Sequence, residues 1–127
     1  MEKKFLDWLK QANADLKTAK DLLKAKNYYA SVNFSQQAAE KGLKAVFILL
    51  KNELPPRIHD LVELGRSTGA SSEVMSQAEK LTPSFFTVRY PDAAPEIPVK
   101  YYTEEKAKAH LKEARLILKW SKKKIKL

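Results

Sequence analysis

The side chains with the most chemical reach in this sequence are two histidines, His59 and His110, and four arginines, one of them in the triplet Arg89-Tyr90-Pro91. Arginine offers a planar fork to a phosphate, and tyrosine offers a stacking face with a polar tip. Pro91 keeps Tyr90 out of helical geometry, so the pair stands at a break in the chain. The plainer alternative is an arginine paired with a carboxylate beside a packed tyrosine. The run Gln36-Gln37-Ala38-Ala39-Glu40-Lys41 places amide and charged groups on successive helix positions. Its plainer reading is a solvated face carrying a Glu40–Lys44 pair at i, i+4. His59 follows Pro55-Pro56, where it would cap a short helix or orient Arg57. His110 adjoins Leu111 at the edge of an apolar stripe and reads as a boundary residue.

Together these residues define one candidate site. Arg89 and Tyr90 face a groove that also receives Gln37, Lys41 and Lys44, with His59 nearby. Arg89 would grip a phosphate and Tyr90 would stack on a base. Lys41 or Lys44 would add charge, and Gln37 would hydrogen-bond a base edge. The proline-rich loop after Tyr90 would form a movable rim. The formal charge of +9 is concentrated toward the C-terminus, where residues 100–127 hold ten Lys or Arg against three Glu. Such a segment attracts nucleic acid, nucleotides or an acidic partner surface. A solvated helix end complementing the helix dipole explains it equally.

Other chemistries are excluded or disfavoured. There is no cysteine, hence no disulfide, zinc–thiolate site, iron–sulfur cluster or thiol nucleophile. Two histidines without an HExxH-like spacing, and no histidine close behind Glu40, fit neither a zinc site nor a di-iron bundle. No metal and no cofactor are expected. The N-terminal residues enter an amphipathic pattern at once, and the longest apolar run, residues 45–50, is far too short for a membrane span. A soluble cytoplasmic protein without a membrane segment is the expectation.

Helical spacing must position these residues. Phe5, Leu9, Ala12, Leu16, Ala19 and Leu23 share one face of a first helix over about 2–26, with Trp8 and Leu22 widening the stripe and Asp15 away from its centre. A second helix, about 29–51, carries two apolar faces: Val32, Ala39, Val46 and Leu50 on one, Phe34, Ala38, Ala45 and Ile48 on the other. Two such faces place it centrally in a bundle or at an interface. Small residues Ala38, Ala39, Gly42 and Ala45 allow close approach. A short helix from His59 to about Leu64 stops at Gly65, and a polar turn covers 66–72. Another short helix through Val74, Ala78 and Leu81 ends at Thr82-Pro83. The stretch 84–90 is helical or irregular, and Pro91, Pro95 and Pro98 mark a loop. Thr103 caps a last long helix whose stripe is Ala107, Leu111, Ala114, Leu118 and Ile125. The fold class is all-α, a single domain over 1–127 built as an antiparallel bundle of four to five helices.

The ordered set of short signatures resembles the HEPN family, the nucleotide-binding domains of higher eukaryotes and prokaryotes. The resemblance covers nearly the whole chain. It runs from Ala14-Asp15-Leu16 and residues 19–23 through Tyr28-Tyr29-Ala30 and residues 34–45. It continues in His59-Asp60-Leu61 and Arg89-Tyr90-Pro91, and ends in Tyr101-Tyr102 and residues 107–114. It implies a bundle of four or five helices that is commonly a homodimer. Many members pair with a minimal nucleotidyltransferase in a toxin–antitoxin system. Some are metal-independent ribonucleases, others bind nucleotide or RNA without catalysis, and substrate-binding subunits of nucleotidyltransferases look similar. The ribonuclease pattern places an arginine four to six residues before a histidine. Here His59 follows Arg57 too closely and His110 lies far beyond Arg89. Catalysis would need folding or a second subunit to bring His59 or His110 into place. The sequence reading therefore favours a non-catalytic homodimer that binds nucleotide or RNA, pairs with a minimal nucleotidyltransferase, or both. Its alternatives are a divergent metal-independent ribonuclease toxin and a purely structural interaction subunit.

Overall fold

The apolar stripes of the two N-terminal helices pack on each other. In the computed structural model, which describes residues 2–126 and Glu2 by its backbone alone, α1 (Glu2–Lys24) and α2 (Tyr28–Lys51) form a helical hairpin. It turns at Lys26, whose φ of 62° is left-handed, and at Asn27. Ala12, Leu16 and Ala19 of α1 are buried in the main core, with Leu9 and Leu23 packed against it. Asp15 departs from the sequence reading. It is buried rather than set off the stripe, accepting from Gln11 at 3.0 Å and pairing with Lys41 of α2. A carboxylate tolerates that position because both partners come with it.

α2 is the central element, as its two apolar faces require. It contacts α1, the C-terminal helix α7 (Glu104–Lys126) and three shorter helices. Val32, Ala38, Ala39, Ala45, Val46 and Ile48 are buried, while Leu50 at the C-terminal end is exposed. A Cβ on Gly42 would lie 3.0 Å from Leu118 Cδ1 and 3.2 Å from Ser121 Oγ, so the missing side chain sets how closely α7 approaches. Asn52 closes the helix in the left-handed conformation, returning its N–H to the Ile48 carbonyl.

The next two helices are α3 (Leu61–Ser67) and α4 (Ser72–Leu81). α3 begins after His59 and runs past Gly65, both contrary to the sequence reading. Its N-cap is Asp60, whose carboxylate accepts from the amides of Val62 and Glu63. Gly65 does not stop the helix. A Cβ there would meet Met75 Sδ at 2.7 Å, so glycine is the seat on which α4 packs. The chain turns instead at Gly69, with φ of 70°. α4 is capped by Ser71. Two single-turn helices follow, α5 (Ser84–Thr87) and α6 (Pro98–Tyr101). Pro98, expected within a loop, instead opens α6, a position that needs no amide donor. Thr103 accepts from the Lys106 amide at the start of α7, as its spacing implied.

The bundle thus consists of α1, α2, α3, α4 and α7, with α5 and α6 in the connection between the last two. No strand occurs among the described residues. A small second cluster of Val32, Val88, Tyr102 and Ala107 ties that connection to α2 and α7. No helix among the described residues is long and apolar enough to cross a membrane.

Filling the α2–α7 approach at Gly42 is expected to be costly. Gly42→Val should lower unfolding free energy by about 1–3 kcal/mol in a urea titration, since the added side chain would press on Leu118 and Ser121, both buried. Burial also pushes the Tyr102 phenol above the ordinary tyrosine range, outweighing its hydrogen bond with Thr87, which acts the other way. The neutral phenol is therefore favoured by folding. Its contribution is complete below about pH 10 and is lost as pH rises through the higher folded value. Alkaline unfolding monitored by circular dichroism should be delayed in Tyr102→Phe.

Candidate functional site

The polar stripe of α2 is not solvated where it matters. Glu40 is buried, and its carboxylate has two engagements. Oε2 accepts from Lys44 Nζ at 2.9 Å, one helical turn on, and the Lys44 side chain is only 6% exposed. Oε1 meets His59 Nδ1 at 3.0 Å. The Gln36 amide nitrogen lies 3.3 Å from that same oxygen and 3.3 Å from the His59 carbonyl, so one buried side chain steadies both partners. The expected i, i+4 pair of Glu40 and Lys44 therefore exists, but inside the protein and with a third member.

His59 is engaged at one nitrogen and on one ring face. Nδ1 faces a carboxylate, a contact that calls for a proton on that nitrogen, and the side chain is 50% exposed. The ring also stacks on Phe85 of α5, with centroids 4.0 Å apart and planes 13° from parallel. Arg89 lies over the same Phe85 ring, its guanidinium carbon 3.9 Å from the centroid, and donates through Nη1 to the Phe85 carbonyl at 2.7 Å. His59 and Arg89, thirty residues apart in sequence, share one aromatic platform. Both lie within 4.0 Å of the same ring centroid, and of the three residues His59 and Phe85, but not Arg89, line the cleft beside it.

The cleft at this place holds about 430 Å³. Its walls are His59, Asp60 and Glu63 on one side and Thr82, Phe85 and Phe86 on the other. The amide of Leu61 donates to Thr82 Oγ1 at 2.8 Å, which fixes the two walls together. Asp60 is committed to capping α3. Phe86 stands 57% exposed, edge-on to Phe85, and Tyr90 stacks on it at 6.2 Å with 49% exposure. An aromatic step of Phe85, Phe86 and Tyr90 thus leads from the cleft to solvent.

The residues singled out from sequence divide into two groups. His59, Lys44, Arg89 and Tyr90 belong to one connected network, through Glu40, Phe85 and Phe86. Lys41 does not join it. One residue along α2 from Glu40 turns it by a third of a helical circuit, and its ammonium pairs with Asp15 of α1. Gln37 is half-buried and reaches none of the network's side chains through a hydrogen bond among the described residues. Neither Gln37 nor any other α2 residue lines the cleft; α2 acts on it from behind, through Glu40. The expected role of His59 as a helix cap falls to Asp60. Arg89 has no carboxylate partner among the described residues, and Tyr90 does not fill the core.

Glu40 and Phe85 were missed as site residues. For Phe85 a signal existed, since it stands four residues before Arg89, the spacing at which helical neighbours touch. His110 makes a separate pair with Glu113 at 2.7 Å on α7, both largely buried. No three His, Asp or Glu residues among those described are grouped to hold a metal ion.

Comparison with known proteins gives the family. The HEPN domain model matches residues 5–125. A Methanocaldococcus jannaschii protein named "Putative toxin MJ1304" is 33% identical, the match covering 87% of this chain and 81% of that one. The crystal structure of TT1696 from Thermus thermophilus superposes with a TM-score of 0.87 at 28% identity, covering 95% of this chain and 98% of that chain. ST0689, described as an archaeal HEPN homologue, gives 0.81 at 32% identity, covering 96% and 98%. An HEPN domain protein of Thermotoga maritima, at 22% identity, has the same fold with a TM-score of 0.71, covering 92% and 95%. A family match from residue 5 to residue 125, over a bundle that superposes on HEPN structures along nearly all its length, makes this chain a member of the HEPN domain family.

Proposed function

We propose that this chain is a toxin-type ribonuclease that cleaves single-stranded RNA without a metal ion, with His59 as the proton-transfer group and Arg89 as the phosphate contact. One observation carries this reading. His59, gripped at Nδ1 by the buried Glu40, lines the cleft and stacks on Phe85, the ring over which Arg89 also lies. The spacing rule that argued against catalysis concerns residues close together in the sequence. Here the loop before α3 and the turn after α5 supply the two groups instead. The name of the Methanocaldococcus relative favours the toxin reading over the non-catalytic one.

The chemistry needs no further group from the protein. Nε2 takes the proton of a ribose 2′-hydroxyl, and that oxygen attacks the adjacent phosphorus. The bond to the 5′-oxygen breaks, and this oxygen is protonated by the imidazolium or by water. The products are a 2′,3′-cyclic phosphate and a 5′-hydroxyl. Arg89 faces the charge that builds on the phosphoryl oxygens. The carboxylate of Glu63 in the cleft suits the amino group of a base better than a phosphate.

A second reading is a non-catalytic RNA or nucleotide binder that uses the same residues. It is favoured by the Arg89 bond to the Phe85 carbonyl, which already uses one donor of the fork. Either reading allows an antitoxin partner such as a minimal nucleotidyltransferase, and a homodimer. Exposed Leu50, Leu54, Ile97 and Val99 offer apolar surface for a second chain.

Purified protein should cleave unstructured RNA in the presence of a chelator, leaving cyclic phosphate ends. His59→Ala should slow cleavage by about 100-fold or more, and Arg89→Ala by a similar factor. Intact RNA after prolonged incubation, with wild-type protein still binding it, would establish the binder instead. Light scattering coupled to size exclusion should give twice the 14.5 kDa chain mass; a monomer at high micromolar concentration would rule the homodimer out.

A further inference from the structure

The second oxygen of Glu40 leads to a different cavity. Lys44, which it holds, forms one wall of a recess of about 350 Å³. The other walls include Lys4 and Trp8 of α1 and the segment Pro55, Pro56 and Arg57. The sequence pattern sets Trp8 at the edge of the core stripe. In the structure it is only partly buried, and it faces this recess with the Lys44 ammonium 5.7 Å from its ring centroid. Lys4 and Arg57 make no ion pair among the described residues. Three cations therefore line one recess with an indole, and among the described residues only Lys44 has an ionic partner. Two successive prolines have fixed φ, so this wall is preformed.

The recess repeats a pairing found beside the cleft at His59, where Arg89 lies over Phe85 without itself lining the cleft: an aromatic surface with a cation. Phe85 and Arg89 make one such pair, and Trp8 with Lys4 and Arg57 makes the other. Arg57 and His59 are two residues apart, at most about 7 Å of chain. That is the reach of one nucleotide step along a strand. A base with its phosphate, taken twice in succession, matches this repetition; a single mononucleotide fills only half of it.

We propose that the Trp8 recess is a second subsite for an RNA strand passing His59, with one base stacked on Trp8 and its phosphate held by Lys4 and Arg57. The strand's course rests on the reading of the His59 cleft as an RNA site, whereas the recess itself stands on its own residues. Lys44 contributes charge to the recess, and its bond to Glu40 ties the recess to the carboxylate that holds His59.

The test uses tetranucleotides of 2′-O-methyl RNA, which lack the attacking hydroxyl, with adenosine monophosphate as a second probe. Binding is followed by fluorescence anisotropy or calorimetry. Trp8→Ala should weaken tetranucleotide binding roughly ten-fold or more, and Trp8→Phe should retain most of it. The surface double variant Lys4→Ala/Arg57→Ala, which leaves the core untouched, should bind more weakly. Its salt dependence should flatten by about 0.7 in the logarithmic slope for each phosphate that is no longer neutralised. Adenosine monophosphate, which fills only one of the two subsites, should bind far more weakly than the tetranucleotide and lose less to each variant. Unchanged tetranucleotide affinity in Trp8→Ala and in the double variant overturns the proposal. So does an equal weakening with adenosine monophosphate, which would make the recess a nucleotide pocket. Cleavage of ordinary RNA, measured in parallel, separates the two readings. Cleavage that depends on His59, with both recess variants binding normally, sinks the subsite alone. Binding abolished in the recess variants of a protein that never cleaves sinks the ribonuclease alone.

Discussion

A carboxylate taken out of water must be met by partners, and Glu40 sets the terms for everything around it. Burial of the ion costs several kcal/mol unless its lone pairs are engaged. Here Lys44, His59 and Gln36 engage them. The arrangement binds in both directions. Without Glu40, Lys44 would be a buried ammonium with no counter-charge, and His59 would lose the bond that fixes its tautomer. Because His59 lies in the loop after Pro55-Pro56, the same carboxylate anchors that loop to the central helix. The stack of His59 on Phe85 then carries the anchor on to α5 and Arg89.

The bundle around this ion is made by small residues. Ala38, Ala39, Gly42 and Ala45 let α1 and α7 approach α2, and close approach is what buries Glu40 and Lys44. The packing and the site are therefore one construction. The surface that would otherwise have been a wet helix face is roofed over by its neighbours. Asp15 and Lys41 show the same effect one helical step away, as a second ion pair between α1 and α2.

Much of the fold could be read from the sequence because the long helices are periodic. The stripes through Ala12, Leu16 and Ala19, and through Ala107, Leu111 and Ala114, name the buried faces directly. Thr103 marks a helix start by its chemistry. The short elements were less readable. Asp60 outcompeted His59 as a cap, and Gly65 signalled close packing instead of a stop. The site was half readable. Arg89, Tyr90, His59 and Lys44 stood out by type, yet periodicity does not distinguish an exposed Glu–Lys pair from a buried one. The link between His59 and Arg89 is a tertiary contact through Phe85, and no rule of local spacing contains it.

Phe85 and Arg89 stand on and just beyond a helix of only four residues, followed by a loop that runs to Pro98. A single turn has no cooperative stability of its own. It is held by the stack on His59 and by the small cluster at Val88 and Tyr102. Lengthening a loop is thermodynamically mild, about 0.6 kcal/mol for each doubling. Arg89 and the aromatic residues beside it therefore sit on the stretch of chain freest to accept insertions, while His59 and the carboxylate that orients it sit where almost none are tolerated. Descendants of this sequence could change what they recognise between residues 82 and 103 while the bundle beneath stayed as it is.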